Sequence, residues 1–315
     1  MCHREQWSPY YRRLHETRHR TPHGGSLATT EAIARIAEGA EQIGLDSVWS
    51  FERQLAPTAG GDAGGGHIIQ LPTEYQRVFS PLEVLAFAAA RTSRVTLGTS
   101  VLVALLHSPA VLGRSFATLD QLSNGRVVVG IGQGWMLQEF AAAGVSPQRR
   151  GPRFSEFIAV LRAVWGPDPV ASDGEFYSIA ESVISPKPVQ EGGPQILAGA
   201  ASPGGIKRAA RLGLGLNPIW FGSWETLEES VGTFRSAATD AGRDPAALPV
   251  VLRVNSSIAD EPTGDGPTPA GSAEEIVEAI PRLERLGVTE ILWQMSRPVD
   301  EQLALAGRLV KLARS

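Results

Sequence analysis

Two patterns of hydrophobic positions alternate along the chain from residue 28 onward. In the first, apolar residues recur three or four positions apart, as at Ile33, Ile36 and Ala40, which is the spacing of one helix face. In the second, short runs such as Val127–Ile131 are apolar throughout, which is typical of strands buried on both faces. Because the two patterns follow each other strictly, the sequence predicts a parallel sheet covered by helices.

Seven strands and the helices around them are predicted. The strands span residues 46–51, 95–102, 127–131, 196–198, 216–221, 250–254 and 290–293. The first helix follows Thr29 or Thr30, either of which is a suitable cap, and it ends at Gly44. The later helices span residues 81–92, 109–122, 153–164, 204–212, 226–241, 276–283 and 301–312.

This alternation favours a (β/α)8 TIM barrel, an α/β fold of eight such units in about 250 residues. The missing first strand is expected just before Thr29, although Arg18–Ser26 has poor strand character. A doubly wound sheet is the alternative, but it usually opens with a strand and a glycine-rich turn, and the sequence shows neither. The long insertions Glu52–Ser80 and Gln133–Gly193 then lie on the carboxyl side of the strands, where barrels carry active sites.

The first 23 residues differ from the rest in composition. They hold four of the six histidines, several arginines and no apolar period. A metal- or phosphate-binding tail would use such residues, but a disordered leader is the simpler interpretation. We therefore expect a leader over residues 1–23 and one barrel domain over residues 24–315.

Composition narrows the range of partners. No apolar run approaches the roughly 18 residues that span a membrane, and no apolar stretch of a secretory signal opens the chain. The net charge of −4 gives no basic field for nucleic acid. The single cysteine excludes a disulfide framework and a cysteine-based zinc site, and it indicates a reducing compartment. We expect a cytoplasmic protein that acts on a small molecule, without metal, membrane or nucleic acid.

Three glycines end one predicted strand, in the pattern Gly130-x-Gly132-x-Gly134. This differs from the dinucleotide-binding pattern G-x-G-x-x-G, and no acidic residue follows at the end of a second strand. Glycines at a strand end let a flat ring approach the backbone, and Gln133 between them offers a donor and an acceptor. A tight turn without a ligand explains the same glycines.

A second glycine-rich segment, Gly199–Gly205, joins a predicted strand to a predicted helix and contains Ser202. The amide groups at a helix N-terminus bind anions, so this segment is a candidate phosphate-binding loop. Lys207 and Arg208 follow and would add positive charge. A capped helix with solvated basic residues is the alternative.

An ordered set of short motifs resembles one known family. The motifs are Leu97-Gly98-Thr99-Ser100-Val101-Leu102, Ser108-Pro109-Ala110, Ala117-Thr118-Leu119-Asp120, Ser123-Asn124-Gly125-Arg126, Gly130-Ile131-Gly132-Gln133-Gly134-Trp135, Ser185-Pro186-Lys187-Pro188-Val189-Gln190 and Ala209-Ala210-Arg211-Leu212-Gly213. From about Thr29 to the C-terminus, the chain resembles the luciferase-like flavin- and deazaflavin-dependent oxidoreductases. It is most similar to the subgroup that uses coenzyme F420, a deazaflavin.

The resemblance implies a set of cofactor-binding residues. A non-prolyl cis peptide is expected within Thr99-Ser100-Val101, behind the central ring of the cofactor. The anion site of Gly199–Gly205 is expected to hold the cofactor phosphate. The full expected set is Ser100, Val101, Gln133, Gly134, Trp135, Gly199, Ala200 and Ser202.

The resemblance also implies a reaction and its partners. The expected reaction is hydride transfer between reduced F420 and an organic substrate. The alternative is an FMN-dependent monooxygenase that uses O2. A flavin reductase or an F420-reducing enzyme would supply the reduced cofactor as an indirect partner, and the family commonly forms homodimers.

Glu52 and Arg53 stand where many family members have an Asp-His pair near the reactive ring edge. Because arginine stays protonated near neutral pH, Arg53 would hold an anionic substrate or pin Glu52, and a surface ion pair is the alternative. His107 is the third catalytic candidate, since imidazole changes charge near neutral pH. Glu139 is expected to be a buried structural partner of one of three arginines, Arg149, Arg150 or Arg153, and an acid in the active site is the alternative.

Two other function classes fit a barrel. A lyase or aldolase that forms a Schiff base needs a lysine at a strand end, and the predicted strands contain none. A catalytically degenerate barrel is the other alternative, because the first strand is poor and the Asp-His pair is missing.

Overall fold

The computed structural model describes residues 17–20, 24–264, 266–294 and 296–315. Within this part of the chain, eight barrel strands alternate with helices. The strands are β1 (Thr17–Arg20), β2 (Ser47–Ser50), β3 (Thr96–Thr99), β4 (Val127–Gly132), β5 (Gln195–Gly199), β6 (Gly215–Leu216), β7 (Val251–Val254) and β8 (Glu290–Trp293). The helices are α1 (Thr30–Ile43), α2 (Pro81–Ala89), α3 (Pro109–Ser123), α4 (Leu137–Ala142), α5 (Arg150–Trp165), α6 (Pro203–Arg211), α7 (Trp224–Asp240), α8 (Ala273–Arg285) and α9 (Val299–Ala313).

The strands are parallel and follow the order β6–β5–β4–β3–β2–β1–β8–β7. The two end strands also meet. One isolated parallel bridge pairs Leu216 with Val250. A second pairs Ile219 with Arg253, whose N–H donates to the Pro218 carbonyl at 2.8 Å. The predicted (β/α)8 fold is confirmed, and its β6–β7 seam is held by these bridges instead of a continuous ladder.

Strand β1 corrects the expected start of the domain. Its residues pair in parallel with β2 on one side and with β8 on the other. The expected leader over residues 1–23 is therefore wrong for Thr17–Arg20, and the first strand lies earlier than the position next to Thr29. Composition was misleading here because backbone pairing on both sides, and not an apolar side-chain pattern, places the strand. Residues 1–16 and 21–23 lie outside the described residues.

A small apolar cluster fills the inside of the barrel. Its members come from five strands and are at most 4% exposed: Trp49, Val128, Leu197, Val251 and Leu292. On β3 the facing residue is Gly98, where a Cβ would lie 2.3 Å from the Trp49 ring. The glycine therefore makes room for the indole. The larger apolar cluster lies between the sheet and the helices.

The two long insertions carry the additional elements. After β2 come a hairpin of Gly61–Asp62 with Ile68–Ile69 and a 3-10 helix, Thr73–Gln76. After β4 come α4 and a hairpin of Val170–Asp173 with Ser178–Ser182. Both insertions leave the barrel at strand carboxyl ends, as predicted. Over the described residues, the search for a helix able to cross a membrane found none.

Glu275 ties the loop between β7 and α8 to the start of α8. Its carboxylate accepts hydrogen bonds from the backbone N–H groups of Thr263, Ser272 and Gly264, which lower its pKa to about 2. Because the folded pKa lies below the ordinary value of 4.5, the charged form stabilises the fold above that pH. This stabilisation is lost as the pH falls towards 2.

We expect Glu275→Gln to lower the Tm at neutral pH and to flatten the acid side of the curve of Tm against pH. Glu278→Gln, an exposed change on the same helix, serves as the control and is expected to follow the wild type. Matching curves for Glu275→Gln and the wild type would show that the carboxylate does not hold the loop.

Candidate active site

A cavity of about 470 Å³ opens at the carboxyl ends of the barrel strands, a size typical of small-ligand sites. Six strands, β2 to β7, contribute to its wall. The lining residues are Phe51, Glu52, Arg53, Tyr75, Val101, Val103, Gly132, Gln133, Gly134, Trp135, Arg150, Gly199, Ala200, Ala201, Ser202, Gly205, Asn217, Ile219 and Arg253. The structure thus gathers every predicted site residue except Ser100 and His107 around one space.

Val101 forms the floor of the cavity. The peptide bond between Ser100 and Val101 is cis, so the expected non-prolyl cis peptide is confirmed. The Val101 side chain lies between two glycines of neighbouring strands. A Cβ on Gly132 would lie 3.0 Å from one Val101 methyl carbon, and a Cβ on Gly199 would lie 2.8 Å from the other. The two glycines therefore make room for the Val101 side chain.

Ser100 lies beneath this floor instead of in the cavity wall. It is fully buried, and its Oγ donates to Asn217 Oδ1 at 2.6 Å. Asn217 does line the cavity, and its Nδ2 donates to the Val251 carbonyl at 2.6 Å. Ser100 thus positions Asn217, which in turn links the end of β6 to the first residue of β7.

The turn after β4 forms one wall. Gly134 has a φ of 78°, which favours glycine, and a Cβ there would lie 2.7 Å from a Val103 methyl carbon. Trp135 follows, and its ring centroid lies 5.4 Å from the guanidinium carbon of Arg53. Gln133, on the other side of Gly134, lines the cavity as well. The predicted segment therefore presents an amide and an indole to the same space.

The loop Gly199–Gly205 leads from β5 into α6. Ser202 caps this helix, since its Oγ accepts a hydrogen bond from the Gly205 N–H at 3.3 Å. Ser202 is exposed and lines the cavity, so its hydroxyl group and the positive end of the α6 dipole lie at the site. Lys207 lies elsewhere, in a groove between α6 and α7.

Glu52 and His107, predicted as separate candidates, form one hydrogen-bonded pair. Glu52 Oε1 lies 2.8 Å from His107 Nε2, and Glu52 Oε2 accepts a hydrogen bond from the Val103 N–H at 2.7 Å. The Glu52 side chain is 8% exposed and lines the cavity, whereas the His107 side chain is 29% exposed and does not. The pair therefore connects the cavity with the protein exterior.

Arg53 pairs with Glu139. Its Nη1 donates to Glu139 Oε2 at 2.8 Å, and the Gln54 N–H donates to Glu139 Oε1 at 3.0 Å. Both side chains of the ion pair are buried, with 8% and 2% exposed. Burial, the largest effect, raises the pKa of Glu139, and the positive charge of Arg53 opposes this rise. The pair ties the insertion after β2 to α4.

This arrangement corrects two expectations. The partner of Glu139 is Arg53, and Arg149 instead pairs with Glu175 at the surface. Arg53 does not hold Glu52 in place and does not form a surface ion pair, because it pairs with the buried carboxylate of Glu139. Sequence separation hid the pairing, since the fold joins residues 86 positions apart.

Sequence reasoning missed Tyr75, Arg150, Asn217 and Arg253 as residues of the site. Arg150 Nη1 donates to the Gly134 carbonyl at 3.0 Å and so supports the wall after β4. Arg253 is the one charged residue in an otherwise apolar strand, Val251–Val254, and this feature of the sequence could have marked it as a residue of the site. Its pKa is lowered, chiefly by burial. Tyr75 opposes this shift, and the positive charge of Arg53 adds to it.

Two comparisons of sequence place the chain among known proteins. A family model described as luciferase-like monooxygenase matches residues 14–264. An uncharacterized protein of Mycobacterium tuberculosis is 34% identical over 271 residues, which cover 83% of this chain and 84% of that protein. The F420-dependent glucose-6-phosphate dehydrogenase of Kineococcus radiotolerans is 36% identical over 186 residues, which cover 58% of this chain and 50% of that enzyme.

Solved structures share the fold. An F420-dependent secondary alcohol dehydrogenase, solved with an F420-acetone adduct, superimposes with a TM-score of 0.76 at 19% identity, over 95% of this chain and 99% of that chain. The oxygenating constituent of 3,6-diketocamphane monooxygenase from Pseudomonas putida, solved with FMN, gives a TM-score of 0.73 at 16% identity, over 94% and 97% of the chains. At these identities the likeness establishes the fold alone.

Proposed function

We propose that this chain, which belongs to the luciferase-like monooxygenase family, transfers hydride between coenzyme F420 and an organic substrate. The observation that carries the proposal is the single cavity that combines an apolar floor, an anion-binding helix start and the Glu52–His107 pair. When bound, the deazaflavin would supply the two-electron chemistry by accepting or giving up a hydride at its ring carbon.

The residues present fit such a cofactor. Val101 offers an apolar support for the ring, and the glycines beside it make room for the Val101 side chain. Ser202 and the positive end of α6 would hold a phosphate group, because a helix N-terminus favours an anion. Gln133 would contact the polar edge of the ring system through its amide.

The relatives favour F420 over FMN. The dehydrogenase of Kineococcus radiotolerans, named as F420-dependent, is 36% identical to this chain in the matched region. The FMN-bound structure is 16% identical and supports only the shared barrel. We therefore place the FMN-dependent monooxygenase second, as the outcome against which the proposal is tested.

Glu52 is proposed to move the proton that accompanies hydride transfer. When hydride leaves or reaches a carbon that bears oxygen, a proton must leave or reach that oxygen. Glu52 lines the cavity, and the Val103 N–H fixes one of its oxygens. His107, hydrogen-bonded to the other oxygen and partly exposed, then exchanges the proton with solvent. This pair takes the part that an Asp-His pair plays in many relatives.

Ser202→Asp tests the anion-binding end of the cavity. The new carboxylate would oppose the cofactor phosphate in a partly desolvated site, so we expect the affinity for F420 to fall at least tenfold, about 1.4 kcal/mol. The measurement is a fluorescence titration of purified protein with F420 and, separately, with FMN.

Ser236→Asp, in the groove beyond α6, serves as the matched control and is expected to bind F420 like the wild type. Unchanged F420 affinity in Ser202→Asp would move the phosphate to another part of the protein. Tight FMN binding without F420 binding would overturn the choice of cofactor.

A further inference from the structure

Two arginines meet at one side of the cavity mouth, around Tyr75. Arg53 follows β2, and its guanidinium carbon lies 5.0 Å from the centroid of the Tyr75 ring. Arg253 comes from β7, and both Tyr75 and Arg53 are near enough to alter its pKa. All three residues line the cavity. We call Arg53, Tyr75 and Arg253 the arginine cluster.

The positive charge of this cluster is only partly balanced. Glu139 neutralises Arg53, although Arg53 Nε is buried and has no hydrogen-bond partner among the described residues. Arg253 donates through Nε to Asn255 Oδ1 at 2.6 Å, a neutral acceptor. Over the described part of the chain, no carboxylate lies within 4.0 Å of the Arg253 guanidinium. Arginine stays charged near neutral pH, so the half-buried Arg253 carries an electrostatic cost until an anion enters.

The position of the cluster separates it from the anion-binding loop. In the ring of strands, the loop that contains Ser202 follows β5, whereas Arg53 follows β2, three strands away, and Arg253 lies on β7, two strands away on the other side. An anion held by the loop would therefore lie at a different strand end from the arginine cluster. Glu52 and Val101 line the same cavity.

We propose that the arginine cluster binds an oxyanion, a carboxylate or a phosphate ester, on the organic substrate. The two guanidinium groups present planar N–H donors that match an oxyanion, and the Tyr75 hydroxyl adds a further polar contact. Anchored there, the substrate would extend its reacting carbon over Val101, beside Glu52. This inference rests on the proposed redox function only in naming the oxyanion as part of the substrate.

Binding of small anions to the cofactor-free protein tests the cluster directly. Calorimetric titrations would use benzoate, phenyl phosphate and, as the neutral counterpart, benzamide. We expect at least one of the two anions to bind and benzamide not to bind. Arg253→Gln should weaken the binding of that anion at least tenfold. The preferred anion distinguishes a carboxylate from a phosphate ester.

Two further variants test whether anion binding depends on the guanidinium group of Arg253. Arg253→Lys keeps the charge but loses the planar fork, so its affinity should fall between those of the wild type and Arg253→Gln. Ser236→Asp should bind the anion as the wild type does, because its change lies outside the cavity, in the groove between α6 and α7. The Tm of Arg253→Gln without anion should equal or exceed that of the wild type, since a half-buried charge without a carboxylate partner is removed.

Wild-type anion affinity in Arg253→Gln, or equal binding of benzamide, would overturn the proposal. Displacement of the anion by F420 would also overturn it, because the cluster would then belong to the cofactor. If F420 fails to bind while the anion still depends on Arg253, the anion site stands and the proposed redox function falls.

Discussion

Glu52→Gln is expected to lower kcat by about 10²- to 10⁴-fold, the usual contribution of a general acid or base. The amide keeps the shape of the side chain. Its oxygen can still accept the hydrogen bond from the Val103 N–H, which in the wild type is 2.7 Å long and ends on Glu52 Oε2. It cannot transfer a proton. The affinity for F420 should therefore hold, while one limb of the curve of kcat against pH disappears. Steady-state kinetics over a range of pH measure both effects.

His107→Gln separates a proton relay from a purely structural contact. The new amide can still hydrogen-bond to Glu52, so the position of the carboxylate should be kept while the outward path for the proton is lost. We expect kcat to fall with little change in KM. If Glu52→Gln and His107→Gln both keep wild-type kinetics on a confirmed substrate, the pair does not take part in the reaction.

Glu139→Ala is expected to lower the free energy of unfolding by about 3–5 kcal/mol, because it leaves the buried Arg53 without its ion-pair partner. It also removes the acceptor of the Gln54 N–H, so the insertion after β2 should loosen from α4. Chemical denaturation measures the loss of stability. Hydrogen exchange of the Gln54 amide measures the loosening.

Glu175→Ala is the matched control, since Arg149 and Glu175 form the same kind of pair with more than half of each side chain exposed. Such pairs contribute about 0–1 kcal/mol, so this variant should stay close to the wild type. Equal losses in the free energy of unfolding for Glu139→Ala and Glu175→Ala would show that burial does not strengthen the contribution of the Arg53–Glu139 pair.

The pH dependence of stability gives a second readout for Glu139. Burial raises its folded-state pKa above the ordinary value of 4.5, so ionisation of this carboxyl opposes folding. Its contribution to wild-type stability should therefore decrease as the pH rises from 4.5 to the folded-state pKa. Glu139→Gln should lack this decrease. A variant with the same pH dependence as the wild type would contradict the assignment.

The barrel could be predicted from the sequence because most of its strands and helices are recognisable from short-range sequence patterns. Runs such as Val127–Ile131 are apolar on both faces, and helices such as α1 have a recognisable cap at Thr29 and end at Gly44. Strand β1 escaped prediction because Thr17–Arg20 has polar side chains and gains its place from backbone pairing with two neighbours. Local pattern cannot report pairing between segments that are far apart in sequence.

The candidate site was predicted unevenly for the same reason. Val101, Gly134 and Ser202 follow strand ends, so a barrel brings them together once the fold is known. The pairing of Glu52 with His107, 55 positions away, depends on side-chain directions that no motif records. Arg253 was missed because a single charged residue within an apolar strand was assigned to the strand alone.

Anaerobic reoxidation of reduced cofactor tests the central claim most directly. The protein would be mixed with reduced F420 or with reduced FMN, in the presence and absence of O2, and with a panel of carbonyl compounds that carry a carboxylate or a phosphate. The account predicts that reduced F420 is oxidised without O2 and that one carbonyl compound is reduced for each F420 oxidised. Turnover only with reduced FMN, accompanied by consumption of O2 and oxygenation of the substrate, would contradict it.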